Sequence, residues 1–314
     1  MSRIAIIDLG TNTFHLLVVD ISASDAQVLH KEKQSVKIGE NGISYGKINK
    51  SAQERAIRTL QDFKQKMDLL EVQQTYATAT SAFRNAVNGR ALAEEIYSKT
   101  GIEIKIISGK REAQLIYRGV IQALDLGKSK SLIMDIGGGS VEFIICDNNG
   151  VSWTHSFEIG AQRMMDQFHH LDPITPEEIN RLELYFLKHL APLATAVEKF
   201  KPSVLVGASG TFDTISHIYT ISHNLEKSNE KELPLTLDGF RQIHKELVIK
   251  NRPQRLEMPG MIKMRVDMIV VASCLIDFII RSANLNSIRI SSYALKEGLL
   301  YEVCNLIRSP KRSE

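Results

Sequence analysis

Short apolar segments alternate along the chain with longer segments in which apolar residues recur at helical spacing. Residues 4–7, 132–134 and 204–206 are continuous apolar runs, which are typical of buried strands. After a possible capping box that begins at Ser51, apolar residues recur every three or four positions and predict a helix. They are Ile57, Leu60, Phe63 and Met67. Strands that alternate with helices indicate an α/β fold.

One stretch, residues 131–145, combines features that suit a phosphate group. An apolar strand ends at Asp135, three glycines follow, and a second apolar strand begins next to Glu142. Glycines let ligand oxygens approach backbone N–H groups closely, and a row of such groups binds anions. Two carboxylates nearby suit a divalent cation. The alternative is a glycine-rich hairpin that has an acidic residue at each end by chance.

The same pattern occurs near the start of the chain, 127 residues earlier and without a gap. The matched pairs are Asp8 and Asp135, Leu9 and Ile136, Gly10 and Gly137, Thr13 and Ser140, and Asp20 and Asp147. An internal repeat of this kind predicts two related domains, 1–126 and 127–314, joined near 126–130. We expect a phosphate site in the cleft between them, and we expect the last helix, about 300–314, to pack on the first domain.

Other candidate residues each have a simpler explanation. The turn at 207–211 lies between a strand and a helix, where N–H groups attract anions, but ordinary turns of this kind are common. Glu112 lies in the first turn of a helix, where it either acts as a base or stabilises the helix dipole. Arg84 either binds phosphate oxygens in bidentate fashion or is a surface residue. The same ambiguity applies to four further cations: Lys110, Arg111, Arg163 and Arg265.

Composition narrows the class of protein. The 314 residues are 43% hydrophobic and 24% charged, with a net charge of +3, which is typical of a globular protein and too weakly basic for a nucleic-acid binder. The apolar run at 266–280 contains two aspartates and is too short to cross a membrane.

Three cysteines lie far apart, so we expect buried thiols in a cytoplasmic protein without a signal peptide. His169 and His170 match no zinc pattern.

Six stretches, in family order across nearly the whole chain, resemble the exopolyphosphatase and guanosine pentaphosphate phosphohydrolase (Ppx/GppA phosphatase) family in its short two-domain form. This family belongs to the actin, sugar-kinase and Hsp70-like superfamily. The stretches are IDLGTNTFHLLV from Ile7, ATSAFRNAVNG from Ala79, IISGKREAQLIYRGV from Ile106, LIMDIGGGSVEFII from Leu132, GASGT from Gly207 and ISSYALKEGLLYE from Ile290.

The resemblance implies two ribonuclease-H-like domains with an interdomain cleft and Mg²⁺-dependent hydrolysis of the terminal phosphoanhydride bond of inorganic polyphosphate. By position, the implied catalytic residues are Glu112, Asp135 and Glu142, and the implied metal ligands are Asp135, Glu142 and Asp8. The phosphate-binding residues would be Gly10, Thr11, Asn12, Thr13, Arg84, Gly137, Gly138, Gly139, Ser140, Ser209, Gly210 and Thr211.

Three positions depart from the family pattern and leave the substrate open. Arg111 replaces a residue that is often acidic, Ser292 follows Ser291 where Ser-Asp is common, and Lys296 stands where arginine is usual. The alternatives are a guanosine pentaphosphate phosphohydrolase, a non-catalytic sensor of guanosine tetraphosphate or polyphosphate, and an ATP-dependent kinase of the same superfamily. A homodimer also stays open.

Overall fold

The computed structural model describes residues 2–22, 25–226 and 231–308, and the chain divides into two compact units. Unit 1 contains the chain up to Gly119 together with the segment from Leu295 onward, and unit 2 is Val120–Ala294. The predicted domains were 1–126 and 127–314, with the last helix expected on the first domain. The units of the structure divide after Gly119, and the helix that begins at Leu295 belongs to unit 1. The part of the predicted last helix beyond residue 308 lies outside the described residues.

Unit 1 is a five-stranded sheet with helices. Its strands are β1 (Ser2–Leu9), β2 (Thr13–Ile21), β3 (Ala26–Ser35), β4 (Gln74–Ala79) and β5 (Ile104–Ile106). The strand order is β3-β2-β1-β4-β5, in which β3, β2 and β1 are antiparallel and β1, β4 and β5 are parallel. The α-helices are α1 (Lys50–Leu69), α2 (Ser81–Asn85), α3 (Gly89–Thr100), α4 (Gly109–Ala123) and α12 (Leu295–Arg308). The last turn of α4, from Val120 onward, falls in unit 2.

Helix α1 buries the apolar residues that predicted it, but its start was assigned wrongly. Ile57, Leu60, Phe63 and Met67 are all buried. The N-cap is Asn49 rather than Ser51, because the Asn49 side chain accepts the N–H of Ala52 at 2.8 Å. The Ser51 hydroxyl donates to that same oxygen at 2.8 Å and therefore does not cap the helix itself.

Unit 2 repeats this arrangement. Its strands are β6 (Ser131–Ile136), β7 (Val141–Asp147), β8 (Gly150–Phe157), β9 (Val204–Ala208), β10 (Glu232–Leu233) and β11 (Ser287–Ser291). The sheet order is β10-β11-β9-β6-β7-β8, with β6, β7 and β8 antiparallel and β6, β9 and β11 parallel. Apart from the added edge strand β10, both sheets have the strand order of a ribonuclease-H-like domain. The predicted α/β fold with two such domains is confirmed.

The helices of unit 2 follow the local sequence signals. They are α5 (Ala161–Phe168), α6 (Pro176–His189), α7 (Ala191–Phe200), α8 (Ser209–Ser222), α9 (Leu237–Ile249), α10 (Arg252–Leu256) and α11 (Ile269–Ser282). Thr175 and Glu178 form a capping box at the start of α6, and Pro192 lies in the first turn of α7, just after α6 ends. Proline has no backbone N–H to donate, which explains the break between these two helices.

Each unit has its own hydrophobic core, which supports its functional loops. The core of unit 1 packs α1 and α3 on the sheet around Phe14 and Phe63. The core of unit 2 contains most of α11 and the aromatic residues Phe143, Phe186 and Phe212. The three cysteines are free and buried, as predicted. Over the described ranges, no helix combines the length and apolar character that a membrane span requires.

Candidate active site

Two buried carboxylates face each other where β6 ends and β7 begins. Asp135 and Glu142 are direct partners in this antiparallel pair of strands and are only 7% and 1% exposed. The Ser209 hydroxyl donates to Oδ2 of Asp135 at 2.6 Å. Oε1 of Glu142 accepts the hydroxyls of Ser140 and Ser156, each at 2.7 Å. These bonds fix the orientation of both carboxylates, whose oxygens are the ligand type that hard divalent cations prefer.

The glycine turn between these strands is held by the start of α5. The N–H of Gly137 donates to the carbonyl of Ser140 at 3.0 Å. The carbonyl groups of the three glycines accept backbone N–H groups of the segment that starts α5, namely Gly160, Ala161 and Gln162. Arg163 Nε also donates to the Gly139 carbonyl at 2.9 Å. Within the described ranges, the N–H groups of Gly138 and Gly139 have no hydrogen-bond partner. The turn therefore has backbone donors for an anion.

Another glycine turn, Ser209–Gly210 at the start of α8, lies against the guanidinium group of Arg265. Ser209 adopts a positive φ of 70°, a conformation that costs about 1 kcal/mol or more for a residue other than glycine. A Cβ at Gly210 would overlap the guanidinium of Arg265, so only glycine lets Arg265 lie this close to the turn. Arg265 Nε is buried and has no hydrogen-bond partner among the residues that the structure describes.

The electrostatic surroundings of Arg265 suit an anion. Burial lowers the pKa of the Arg265 guanidinium, and the nearby carboxylates of Asp213 and Asp135 oppose this effect. Arginine nonetheless stays charged at neutral pH. Arg265, whose buried Nε–H has no hydrogen-bond partner in the described part of the chain, is therefore a candidate ligand for a phosphate oxygen at this turn.

The glycine turn of unit 1, Gly10–Thr13, repeats the backbone geometry of the 137–140 turn in unit 2. The N–H of Gly10 donates to the Thr13 carbonyl at 3.1 Å, which is the counterpart of the Gly137 bond. The carbonyl of Thr11 accepts the N–H of Gly39, and that of Asn12 accepts the N–H groups of Val36 and Lys37. Thr11, Asn12 and Thr13 are all buried.

Asp8 precedes this turn and lies opposite His15 in β2. Burial raises the pKa of Asp8 to about 6; the Lys296 ammonium opposes the shift and the Glu297 carboxylate adds to it. His15 Nε2 lies 3.4 Å from the Thr13 hydroxyl. The unit 1 turn thus has one carboxylate of raised pKa and an imidazole, where unit 2 has two carboxylates.

Glu112 and Arg84 form an ion pair within unit 1. Glu112 lies in the first turn of α4 and is 6% exposed. Arg84 Nη1 donates to Glu112 Oε2 at 2.9 Å and to the Ile107 carbonyl at 3.1 Å. The structure therefore brings the predicted base and the predicted phosphate-binding arginine together, and the arginine orients the carboxylate.

A comparison with known proteins identifies the family. Residues 17–306 match the model of the Ppx/GppA phosphatase family. The chain belongs to this family. The resemblance inferred from the sequence motifs is confirmed.

Several Ppx/GppA relatives cover almost the whole chain. A crystal structure of an exopolyphosphatase from Cytophaga hutchinsonii is 42% identical, with a TM-score of 0.94, and covers 97% of this chain and 98% of its own. A curated protein of Haemophilus influenzae, described as a candidate exopolyphosphatase, is 28% identical over 96% of this chain and 91% of its own length. The Aquifex aeolicus Ppx/GppA enzyme shares the fold, with 22% identity, a TM-score of 0.77 and coverage of 96% and 99%.

Within this family framework, the structure sorts the predicted site residues by unit. Unit 2 brings together Asp135, Glu142, the 137–140 turn and the Ser209–Gly210 turn. Unit 1 contains Asp8, the Gly10–Thr13 turn, Arg84 and Glu112. In the described ranges, no group of three or more His, Cys, Asp or Glu side chains forms a metal cluster, so the facing pair in unit 2 is the strongest donor set.

Some contacts of the site have no counterpart among the residues predicted from the sequence, and the role of others was left open. Ser156 was not identified, although it lies opposite Glu142 in β8 and donates to it. Arg265 was ambiguous, and only the tertiary fold places it on Gly210. Arg111 forms an ion pair with Glu302, a residue that the sequence did not single out. The register of the β7–β8 hairpin would have indicated Ser156. No local sequence signal connects Arg265 with Gly210, or Arg111 with Glu302.

Proposed function

We propose that this protein is an exopolyphosphatase that hydrolyses the terminal phosphoanhydride bond of inorganic polyphosphate, with water as the nucleophile. The observation that carries the proposal is the facing pair of Asp135 and Glu142 beside a glycine turn whose N–H groups at Gly138 and Gly139 have no partner among the described residues. Membership of the Ppx/GppA family and 42% identity to an exopolyphosphatase over nearly the full chain support it.

The residues of unit 2 suit a charged phosphate chain. In the proposed mode, the N–H groups of Gly138 and Gly139 donate to oxygens of the terminal phosphate. Arg265 contributes a positive charge beside the Gly210 turn and neutralises part of the developing charge. Phosphoryl transfer depends mainly on positioning and on charge neutralisation, which these groups supply.

The donor set fits Mg²⁺ as the cofactor. Mg²⁺ is commonly bound by one or two carboxylates, with water and substrate phosphates as its other ligands, and Asp135 with Glu142 match that pattern. Bound Mg²⁺ would offset charge on the phosphate oxygens. Asp8 is proposed as a further ligand, from unit 1. The serine hydroxyls at Asp135 and Glu142 hold both carboxylates in place without neutralising them.

Glu112 is the proposed general base. Its carboxylate is buried and oriented by Arg84, so it can accept a proton from a water molecule in one defined direction. In the proposed mechanism, Glu112 takes a proton from the water molecule that attacks the terminal phosphorus. Three buried and unpaired cysteines favour a reducing compartment such as the cytoplasm.

A phosphate-release assay tests the proposal. Long polyphosphate, short polyphosphate, guanosine pentaphosphate and ATP are compared with Mg²⁺ and with EDTA. We expect phosphate release from polyphosphate that requires Mg²⁺. Glu112→Gln, which keeps the side-chain size, should lower kcat by about 100-fold or more, because it removes the base.

Each other outcome selects a different function. Preference for guanosine pentaphosphate would make the protein a guanosine pentaphosphate phosphohydrolase. Turnover of ATP alone would indicate a kinase or ATPase. Tight binding of polyphosphate or guanosine tetraphosphate without release would indicate a sensor. Near-normal turnover by a folded Glu112→Gln variant would remove Glu112 as the base.

A further inference from the structure

Helix α12 packs against α4, the helix that carries Glu112, with very close backbone approach. A Cβ at Gly298 of α12 would overlap the carbonyl oxygen of Leu115 and would lie 3.0 Å from the backbone N of Gly119. Only glycine permits this spacing, so the backbones of the two helices are in direct contact at Gly298. Gly298 and Leu115 both belong to unit 1.

One turn further along α12, Glu302 contacts two arginines of α4. Arg111 Nη1 donates to Glu302 Oε1 at 2.8 Å, and Arg111 Nη2 donates to Oε2, so the pair is bidentate. Arg118 Nη1 forms an ion pair with Glu302 Oε1. The Glu302 side chain is only 12% exposed, whereas those of Arg111 and Arg118 are 36% and 45% exposed. A largely buried carboxylate with a planar, bidentate partner restricts both side chains more than a surface pair does.

The Arg111–Glu302 pair lies next to the proposed base, Glu112. Arg111 directly precedes Glu112, and both lie in the first turn of α4. The end turns of a helix are its least stable part. Here the turn depends on Ser108, whose hydroxyl accepts the Arg111 N–H at 3.2 Å and whose carbonyl accepts the Glu112 N–H at 2.9 Å. Arg118 lies two turns further along and has no such proximity to Glu112. A contact that fixes Arg111 therefore also limits movement of the Glu112 backbone.

We infer that Glu302 is a positioning residue for the proposed base: through its bidentate pair with Arg111, α12 holds the first turn of α4 and so sets the direction of the Glu112 carboxylate. Arg84 orients the Glu112 carboxylate directly, through a hydrogen bond to it. Glu302 acts indirectly, because its pair with Arg111 restrains the backbone next to Glu112. The inference rests on the proposed function for its catalytic consequence, and on the geometry of unit 1 for its structural one.

The kinetic test compares Glu302→Gln, Arg111→Gln, the double variant and Arg118→Gln on polyphosphate with Mg²⁺. Glu302→Gln and Arg111→Gln should each lower kcat about tenfold with KM within about twofold, because small misplacement of a reacting group slows chemistry. The double variant should have about the same kcat as either single variant, since both substitutions remove the same ion pair. Arg118→Gln is the matched control, because it removes the other partner of Glu302, and it should change kcat by less than about twofold.

A second measurement does not depend on turnover. Amide hydrogen exchange in the segment 109–113 should be faster in Glu302→Gln and Arg111→Gln than in the wild type, and unchanged in Arg118→Gln. If the wild type releases no phosphate from any substrate, the proposed function fails while this measurement still decides the inference.

Three results would overturn the inference. A rise in KM at constant kcat would show that Arg111 contacts the substrate directly. An equal kcat loss in Arg118→Gln would show that general helix packing is responsible. Unchanged exchange at 109–113 in Glu302→Gln would show that the pair does not fix the first turn.

Discussion

The two glycine turns that open the sheets of the two units have the same backbone and different chemistry. In both, the first glycine donates its N–H to the carbonyl three residues later, at 3.1 Å from Gly10 and 3.0 Å from Gly137. In both, neighbouring backbone N–H groups occupy the turn carbonyls. The side chains opposite the leading aspartate differ: His15 faces Asp8, and Glu142 faces Asp135.

The next strand continues this difference. Lys33 of β3 lies across from His15, whereas Ser156 of β8 lies across from Glu142. A lysine brings a positive charge toward the imidazole of His15, whereas a serine brings a hydroxyl donor that preserves the charge of the Glu142 carboxylate. The repeat therefore keeps a backbone suited to anions in both units and builds a pair of carboxylates suited to a cation in only one of them.

The largest effect should come from the position where the two units differ most. Glu142→Gln removes one charge of the carboxylate pair and should lower kcat for polyphosphate about 1000-fold, because charge neutralisation at the phosphate dominates this chemistry. The measurement is phosphate release over a range of Mg²⁺ concentrations. Excess Mg²⁺ should not restore the rate.

The matched control is His15→Gln, at the same position of the other repeat. It leaves the carboxylate pair intact, so we expect a loss of less than about tenfold. Equal losses in the two variants would mean that the units share the cation role, and the asymmetry described above would be wrong.

A smaller effect should appear in the pH dependence of stability. The pKa of Asp8 is about 6 in the folded protein, against about 3.9 for an unfolded aspartate. Between these values the folded state binds more protons, so stability falls as the pH rises from about 4 to about 6. Asp8→Asn should therefore stabilise the protein by about 1 kcal/mol at pH 8 and not at pH 4, measured by urea unfolding in EDTA.

The counterpart, Asp135→Asn, should give no such gain. Asp135 accepts the Ser209 hydroxyl at 2.6 Å and lies in the field of Arg265, so the variant loses favourable contacts. A gain at pH 8 from Asp135→Asn, or none from Asp8→Asn, would contradict the difference assigned to the two aspartates.

The smallest predicted effect is at Ser156. Ser156→Ala removes one of the two hydroxyls that orient Glu142, while the Ser140 hydroxyl keeps its bond. A hydrogen bond to a charged group contributes about 1.5–3 kcal/mol, and partial compensation should leave a loss in kcat of about threefold to tenfold. Steady-state kinetics at saturating Mg²⁺ measures it. The double variant Ser140→Ala/Ser156→Ala should lose more than the two single losses combined, and simple additivity would argue against shared support of Glu142.

The sequence predicted the duplicated turns because their signal is local. Asp, Gly and a hydroxyl residue recur at fixed spacing, and that spacing alone defines the β6 turn and its copy in β1. The fold class followed from the alternation of strands and helices, and the family resemblance followed from six stretches along the chain, two of which contain these turns. Local signals of the same kind mark the start of α6, where Thr175 is the N-cap and Pro176 is the first residue of the helix.

Contacts between distant parts of the chain escaped prediction for a physical reason. Arg111 and Glu302 are 191 residues apart, and nothing near either residue specifies the other. Arg265 reaches Gly210 only because the segment after α10 returns to the start of α8. Ser156 depends on the register of β7 and β8, which contains an irregularity at Ile145 and Cys146. Such contacts require the tertiary fold.

The placement of α12 in unit 1 affects the order in which the protein can form during synthesis. Unit 2, Val120–Ala294, is one continuous segment, so all of its residues leave the ribosome before α12 does. Unit 1 begins first but lacks Gly298 and Glu302 until the last helix has been made. Because domains generally fold as units as their residues emerge, the surroundings of Glu112 are completed last. A chain interrupted before Leu295 would still contain the proposed base Glu112, but it would lack the carboxylate that pairs with the neighbouring Arg111.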